Sequence, residues 1–241
     1  MRANLNLLSL ITAIVICLCF TGCKKKETPP RVIETSTVTD IEGREYKTVK
    51  IGNQWWMAEN LAVTRFNDST ALNFVDISSS DSAWANASGA AYTSLNNGQY
   101  GFLYNFAVVE NTKNIAPEGW HVPTDEEWLM LEKEIGMSSE ETQLLGWRGT
   151  NEANKLAALN AIGWPANFPL FGLDEYGFNA KPGGCRSFSG ETNSQGNIAF
   201  WWSTSTDGND GWYRYIDANQ TRIFRQHTYK RYGMNIRCIK D

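Results

Sequence analysis

Pro123, Thr124 and Glu127 fix a strand-to-helix corner in the middle of the chain, within Gly119-Trp120-His121-Val122-Pro123-Thr124-Asp125-Glu126-Glu127-Trp128. Proline cannot donate to a strand ladder, so the extended run through Trp120 and Val122 stops there. Thr124 offers a side-chain oxygen to the first turn of a helix. Glu127, three residues later, reaches back to the Thr124 amide. Trp128, Leu131, Glu132 and Ile135 then recur at helical spacing, and Gly136 is placed to end the helix. The corner commits the chain to a body in which strands and helices meet, and it names no reaction.

The rest of the pattern supports that body. Ser138 and Glu141 repeat the capping signature ahead of Leu144 and Leu145, and residues 152–161 form a third helical stretch rich in alanine and leucine. Short extended runs at residues 38–41, 46–51 and 54–57 are punctuated by Glu42-Gly43 and Gly52-Asn53. Residues 64–99 read as long polar surface loops with a short helix near 80–87, and residues 100–109 as a buried aromatic segment. Four further strands are expected at 199–204, 212–216, 221–225 and 235–239. Strands flank a small helical centre instead of alternating with helices. The fold class is therefore α+β, with small twisted antiparallel sheets, two or three short helices and long loops.

The first residues specify location. Arg2 is the only charged side chain among the first 22 residues, and residues 7–20 form an apolar run. That run is shorter than the ~20 residues a membrane-spanning helix needs, and its flanks are those of a secretory signal peptide at 1–22. Phe20-Thr21-Gly22-Cys23 resembles the bacterial lipobox, with Phe20 where leucine is usual, and marks Cys23 for lipidation. Acyl chains there supply a membrane anchor. Residues 23–37, with Lys24, Lys25, Lys26, Pro29 and Pro30, read as a flexible tether, and 38–241 as one domain. The expected place is the bacterial cell envelope, on its periplasmic face or at the cell surface. Loss of Arg2 leaves 21 Lys and Arg against 26 Asp and Glu, a net charge of -5. That balance gives no basic stripe for nucleic acid.

Catalytic signatures are missing from the sequence. It contains no Gly-x-Ser-x-Gly elbow, phosphate loop or His-Glu-x-x-His. The two histidines, His121 and His227, read as structural, and Glu126 and Glu127 are explained by the helix start. Cys17 and Cys19 leave with the signal, so Cys185 and Cys238 remain in the domain beside the lipid site. In an oxidising compartment they either stay as buried thiols or form a disulfide, the expectation adopted here. Its loop of about 50 residues would contribute around 4 kcal/mol.

Aromatic residues carry the binding reading. Ten Trp, nine Tyr and eleven Phe exceed what an average core uses. Core filling is the plain account, and it is preferred for Trp120, Trp128 and Trp201. The pairs Trp55-Trp56 and Trp201-Trp202 place one ring of each on an open face if both lie on strands. Trp212, Tyr213, Arg214 and Tyr215 are the candidate ligand-binding surface for a glycan or a protein. The preceding Asp207-Gly208-Asn209-Asp210-Gly211 reads first as a turn, with Asp207, Asn209 and Asp210 as candidate oxygen ligands for calcium.

Several segments together resemble a known family. Residues 38–43 and 49–61, Tyr100-Gly101, Leu103-Tyr104-Asn105, residues 119–128, Pro182-Gly183-Gly184-Cys185-Arg186, Trp201-Trp202-Ser203-Thr204 and residues 236–241 match, in order, the Fibrobacter succinogenes major paralogous domain. That resemblance implies a secreted protein or lipoprotein and no established activity. Many members carry a cysteine where this chain has Ala116, which leaves Cys185 as the candidate partner of Cys238. Pro123, Thr124, Glu127, Trp128, Gly183-Gly184 and Arg237-Cys238-Ile239 are more distantly similar to the sulfatase-modifying-factor family, which implies a C-type-lectin-like fold. Its formylglycine-generating members hold copper with two neighbouring cysteines, whereas Cys238 has no such neighbour. A lectin-like binding or adhesion domain is the function expected. An enzyme on a formylglycine-generating-like scaffold and a structural envelope component are the alternatives.

Overall fold

The computed structural model describes residues 31–78, 81–166 and 169–241. The expected signal peptide, Cys23 and the first part of the tether lie outside the described residues. Three strands open the fold as a meander: β1 (Thr35–Thr39), β2 (Glu45–Ile51) and β3 (Gln54–Met57), with β1 starting inside the segment expected as tether. The stretch expected as loops carries β4 (Asn73–Phe74), α1 (Asp81–Ala85) and β5 (Ala91–Ser94), followed by β6 (Phe102–Tyr104) and α2 (Phe106–Val109).

At the corner, β7 (Trp120–His121) leads into α3 (Asp125–Glu134) through the expected capping box. The Glu127 amide donates to Thr124 Oγ1 at 3.2 Å, and the Thr124 amide donates to Glu127 Oε2 at 2.7 Å. A second capping box at Ser138 and Glu141 starts α4 (Ser139–Thr142), a single turn that leaves Leu144 and Leu145 exposed. Then come β8 (Gly146–Arg148) and α5 (Glu152–Leu156). The third helical stretch ends earlier than expected, because Ala157 turns extended and bridges to Ala180.

The last third is strand-rich: β9 (Cys185–Arg186), β10 (Thr192–Asn193), β11 (Ile198–Asp207), β12 (Asp210–Asp217), β13 (Ile223–Tyr229) and β14 (Ile239–Lys240). One sheet has the order β1-β2-β3-β14-β7, so the late strand β14 fills the gap between two early ones. A second runs β11-β12-β13-β8, and smaller sheets pair β4-β5-β6 and β10-β9. Every pairing of these strands except β4 with β5 is antiparallel. The class is α+β, with five short α-helices among the described residues where two or three were expected. The small sheets and looped body agree with a C-type-lectin-like arrangement.

Two apolar cores lie on opposite sides of the same strands. Neighbouring side chains on a strand point to opposite faces. Trp56 and Trp201 accordingly enter one core, with Trp128 and Phe178, while Met57 and Trp202 enter the other, with Tyr104, Phe106 and Met234. The expected open ring of the Trp201-Trp202 pair is therefore absent: both are buried, because β11 is covered on both faces. Trp55 keeps partial exposure. A break in the β11–β12 register between Trp202 and Thr206 frees Thr204 and Ser205 to meet the start of α3. Thr204 donates its amide to Pro123 O at 2.8 Å, and Ser205 Oγ accepts from the Asp125 amide at 2.9 Å.

The expected disulfide is corrected by the strand register. Cys185 and Cys238 are separate, buried thiols. Arg186 bridges antiparallel to Gly233, which sets Cys185 level with Met234, four positions before Cys238. Four extended residues reach roughly 13 Å, whereas a disulfide spans about 4.4–6.8 Å between Cα atoms.

Candidate binding face on the four-stranded sheet

The two faces of β11-β12-β13-β8 carry opposite chemistry. On one, Phe200, Tyr215, Phe224 and Trp147 stand directly opposite one another on four successive strands. Ring centroids are 5.1 Å apart for Phe200–Tyr215, 4.4 Å for Tyr215–Phe224 and 5.1 Å for Trp147–Phe224. Tyr213 extends this row along β12 and stacks on Tyr215 with an interplanar angle of 13°. Cross-strand aromatic pairs of this kind hold register while covering a sheet.

The row is only partly covered. Tyr213, Tyr215, Phe224 and Trp147 are half-buried, and Tyr213, Tyr215 and Tyr232 border a shallow cavity of about 310 Å³ with Asn193 and Thr228. Neither the Tyr213 nor the Tyr215 hydroxyl has a hydrogen-bond partner within the described residues, so both are free for a ligand or water. Burial is the main force raising both phenol pKa values, with neighbouring Tyr232 and Tyr215 adding to it at Tyr213, and Asp217 at Tyr215, which is pushed up to about 12. Both are neutral donors at ordinary pH. An apolar rim with a few uncommitted polar groups suits stacking against a sugar ring.

The opposite face is ionic and closed. Arg214 is fully buried, donating from Nη1 to Asp125 Oδ1 at 2.6 Å and from Nε to Glu132 Oε1 at 2.8 Å. Arg225 reaches Asp125 Oδ2 at 2.6 Å, and Arg148 forks onto Glu132 at 2.7 and 2.8 Å. Trp212 lies on this side too, with the Arg225 guanidinium 4.1 Å from its ring centre and His227 edge-on at 5.2 Å. The four expected binding residues are thus divided. Tyr213 and Tyr215 face the open side, whereas Arg214 braces α3 from behind and half-buried Trp212 packs on Arg225 and His227, because alternation along β12 sends odd and even positions to opposite faces. Arg225 is buried as well.

At the hairpin tip, Gly208 takes φ +55° in the two-residue turn between paired Asp207 and Asp210. His227 lies between the two carboxylates, with Nδ1 3.0 Å from Asp210 and Nε2 3.4 Å from Asp207. Asn209 borders a different cavity with Phe188 and Lys230. Among the described residues no group of three or more His, Cys, Asp and Glu converges on a metal-sized point. Burial raises the Cys185 thiol to about 12 and pushes Cys238 well up, so both are held neutral and apart, unlike a paired thiolate site. The other histidine, His121, spans two carboxylates, with Nδ1 2.6 Å from Asp241 and Nε2 2.8 Å from Glu127.

Sequence reasoning missed Phe200, Phe224 and Trp147 on the open face, and Asp125, Glu132 and Arg148 behind it. Alternation of Phe200 with Trp202 and of Tyr213 with Tyr215 was a readable signal for the first group. Small antiparallel sheets, short capped helices and a half-open aromatic row describe an α+β module. The chain belongs to the Fibrobacter succinogenes major domain family, whose model matches residues 49–240. No curated protein and no solved structure matches it.

Proposed function

We propose that this protein is a lipid-anchored bacterial envelope protein whose C-type-lectin-like domain acts by binding, with a glycan as ligand. The supporting observation is the aromatic row of Phe200, Tyr215, Phe224 and Trp147, half-open and flanked by the uncommitted hydroxyls of Tyr213 and Tyr215. Residues 1–22 serve as signal peptide, Cys23 carries the lipid, and the chain up to β1 is the tether. Asp207 and Asp210, with Asn209 beside them, offer oxygen ligands to calcium as an accessory of this reading, in competition with His227.

A glycan array probed with the full chain in detergent tests the binding. Saturable binding that Tyr215→Ala and Tyr213→Ala weaken about tenfold, and that Trp212→Ala leaves unchanged, is the expected result. Failure to bind any glycan would sink it in favour of a structural component or an enzyme. Cys23→Ser is expected to move the protein from the membrane to the soluble fraction. Persistence at the membrane would count against the anchor.

A further inference from the structure

A second cavity, of about 230 Å³, lies away from the aromatic face and shares no lining residue with it. Three cationic side chains border it, Arg44, Lys181 and Arg237, against one carboxylate, Glu59. Three cations against one carboxylate leave a surplus of positive charge in the lining, and one oxygen of Glu59 is already engaged by the Lys47 amide at 2.8 Å.

Arg237 is the source of that surplus. It is fully buried, yet every hydrogen-bond partner of its guanidinium is neutral: Asn60 Oδ1 at 2.8 Å, Asn179 O at 3.1 Å and Phe178 O. It also lies over the Phe178 ring at 4.1 Å. Buried charges are normally paired with an opposite one, and this one is not. Burial lowers its pKa to about 9, with Asp174 and Glu59 working weakly in the other direction. Lys181 is half-buried, its ammonium makes no hydrogen bond or ion pair among the described residues, and burial lowers its pKa too. Two cations in one low-dielectric wall favour an anion in front of them.

The neutral and acidic groups narrow the anion. Asn179, Gln99 and Tyr100 border the same cavity and suit a ligand carrying hydroxyls. Glu59 would repel a dianion but can accept a hydroxyl proton. The volume is below the roughly 300–1,000 Å³ of pockets for drug-sized ligands, so a single sugar ring is the scale.

We infer that this cavity binds the carboxylate of an acidic sugar unit, a hexuronate, with Lys181 as the contact cation and Arg237 supplying charge from behind. The site stands independently of the aromatic face. Exposed Arg44 also borders the cavity, and Asn60 couples it to the core through Trp201 Nε1, which donates to its Oδ1 at 2.9 Å.

Titration calorimetry of the full chain in detergent, with sodium glucuronate at low salt, tests this directly. Saturable glucuronate binding with no response to glucose is expected. Lys181→Met should weaken it roughly tenfold or more, and Lys181→Arg should keep affinity within about threefold, as loss and retention of one charge-assisted hydrogen bond require. Tyr215→Ala should leave glucuronate affinity unchanged, which separates this site from the aromatic face. The Lys181 ammonium makes no hydrogen bond or ion pair among the described residues, so its variants should keep the thermal midpoint of the parent within about 2 °C. Absence of saturable glucuronate binding, full affinity in Lys181→Met, or tighter binding of inorganic phosphate than of glucuronate would overturn the assignment.

Discussion

Arg214 and Arg225 stand directly opposite each other on neighbouring strands, and the Asp125 carboxylate joins them, accepting 2.6 Å hydrogen bonds from both. Like charges opposed across a sheet are destabilising unless an anion lies between them. Asp125, at the first turn of α3, is that anion, and all three side chains are nearly excluded from water. Asp125→Asn would leave two buried guanidinium groups short of their counter-charge. A loss of about 3–5 kcal/mol is expected from urea unfolding. A loss below about 1 kcal/mol, the scale of exposed pairs, would show the network to be solvated.

The same carboxylate sets acid sensitivity. Burial alone would raise the Asp125 pKa, but Arg225 and Arg214 outweigh it and hold the group below its ordinary 3.8. A depressed carboxylate contributes stability that is present above its unfolded pKa and lost as pH falls through the folded value. The difference in unfolding free energy between parent and Asp125→Asn should therefore shrink as pH drops below about 4. A constant difference down to about pH 2 would contradict it.

His121 has the opposite sign. Burial pulls its pKa down, yet hydrogen bonds to Asp241 and Glu127 win and raise it above 6.5. A raised histidine contributes stability fully present below its unfolded pKa and lost as pH climbs through the folded one. The denaturant midpoint of His121→Gln should thus fall further behind the parent at about pH 5.5 than at about pH 8.5. Equal differences at both would refute the charged bridge.

Thr124 closes the capping box, and its removal has a smaller, local price. Thr124→Ala is expected to cost about 1 kcal/mol, seen as a fall of roughly 2–4 °C in thermal midpoint for a domain of this size. Thr124→Ser should restore most of it. No change in the alanine variant would mean the helix start is held by Ser205 alone.

Cys185 and Cys238 should behave as buried neutral thiols. Alkylation of their peptides should be slow in the native protein and complete in denaturant, with equal masses before and after reduction. Rapid native labelling, or a mass change on reduction at these positions, would contradict the register that separates them.

Much of this was legible where the physics is local. Thr124 and Glu127 need only each other, so the cap and the helix start could be read directly, as could the Gly208 turn. The segments that carry the family resemblance, among them Asn60, Tyr100-Gly101 and Arg237, converge around the second cavity. What was hidden depended on distant partners. Arg214 looked like surface beside Tyr213, and only α3, 89 residues away through Asp125, makes its face an interior. Pairing of Cys185 with Cys238 looked natural by elimination, and the placement of Gly233 opposite Arg186 decides against it.

The insertion of β14 between β3 and β7 has a consequence for biogenesis. The Met57 amide donates to Cys238 O, across 181 residues of sequence. Until residues 234–240 have left the ribosome, β3 and β7 are unpaired edges, and the guanidinium of Arg237 is missing from between Asn60 and Phe178. Domains with such long-range closure fold slowly and expose open strands meanwhile. The sheet of β1, β2, β3, β14 and β7 therefore closes only once β14 is available to pair with both neighbours.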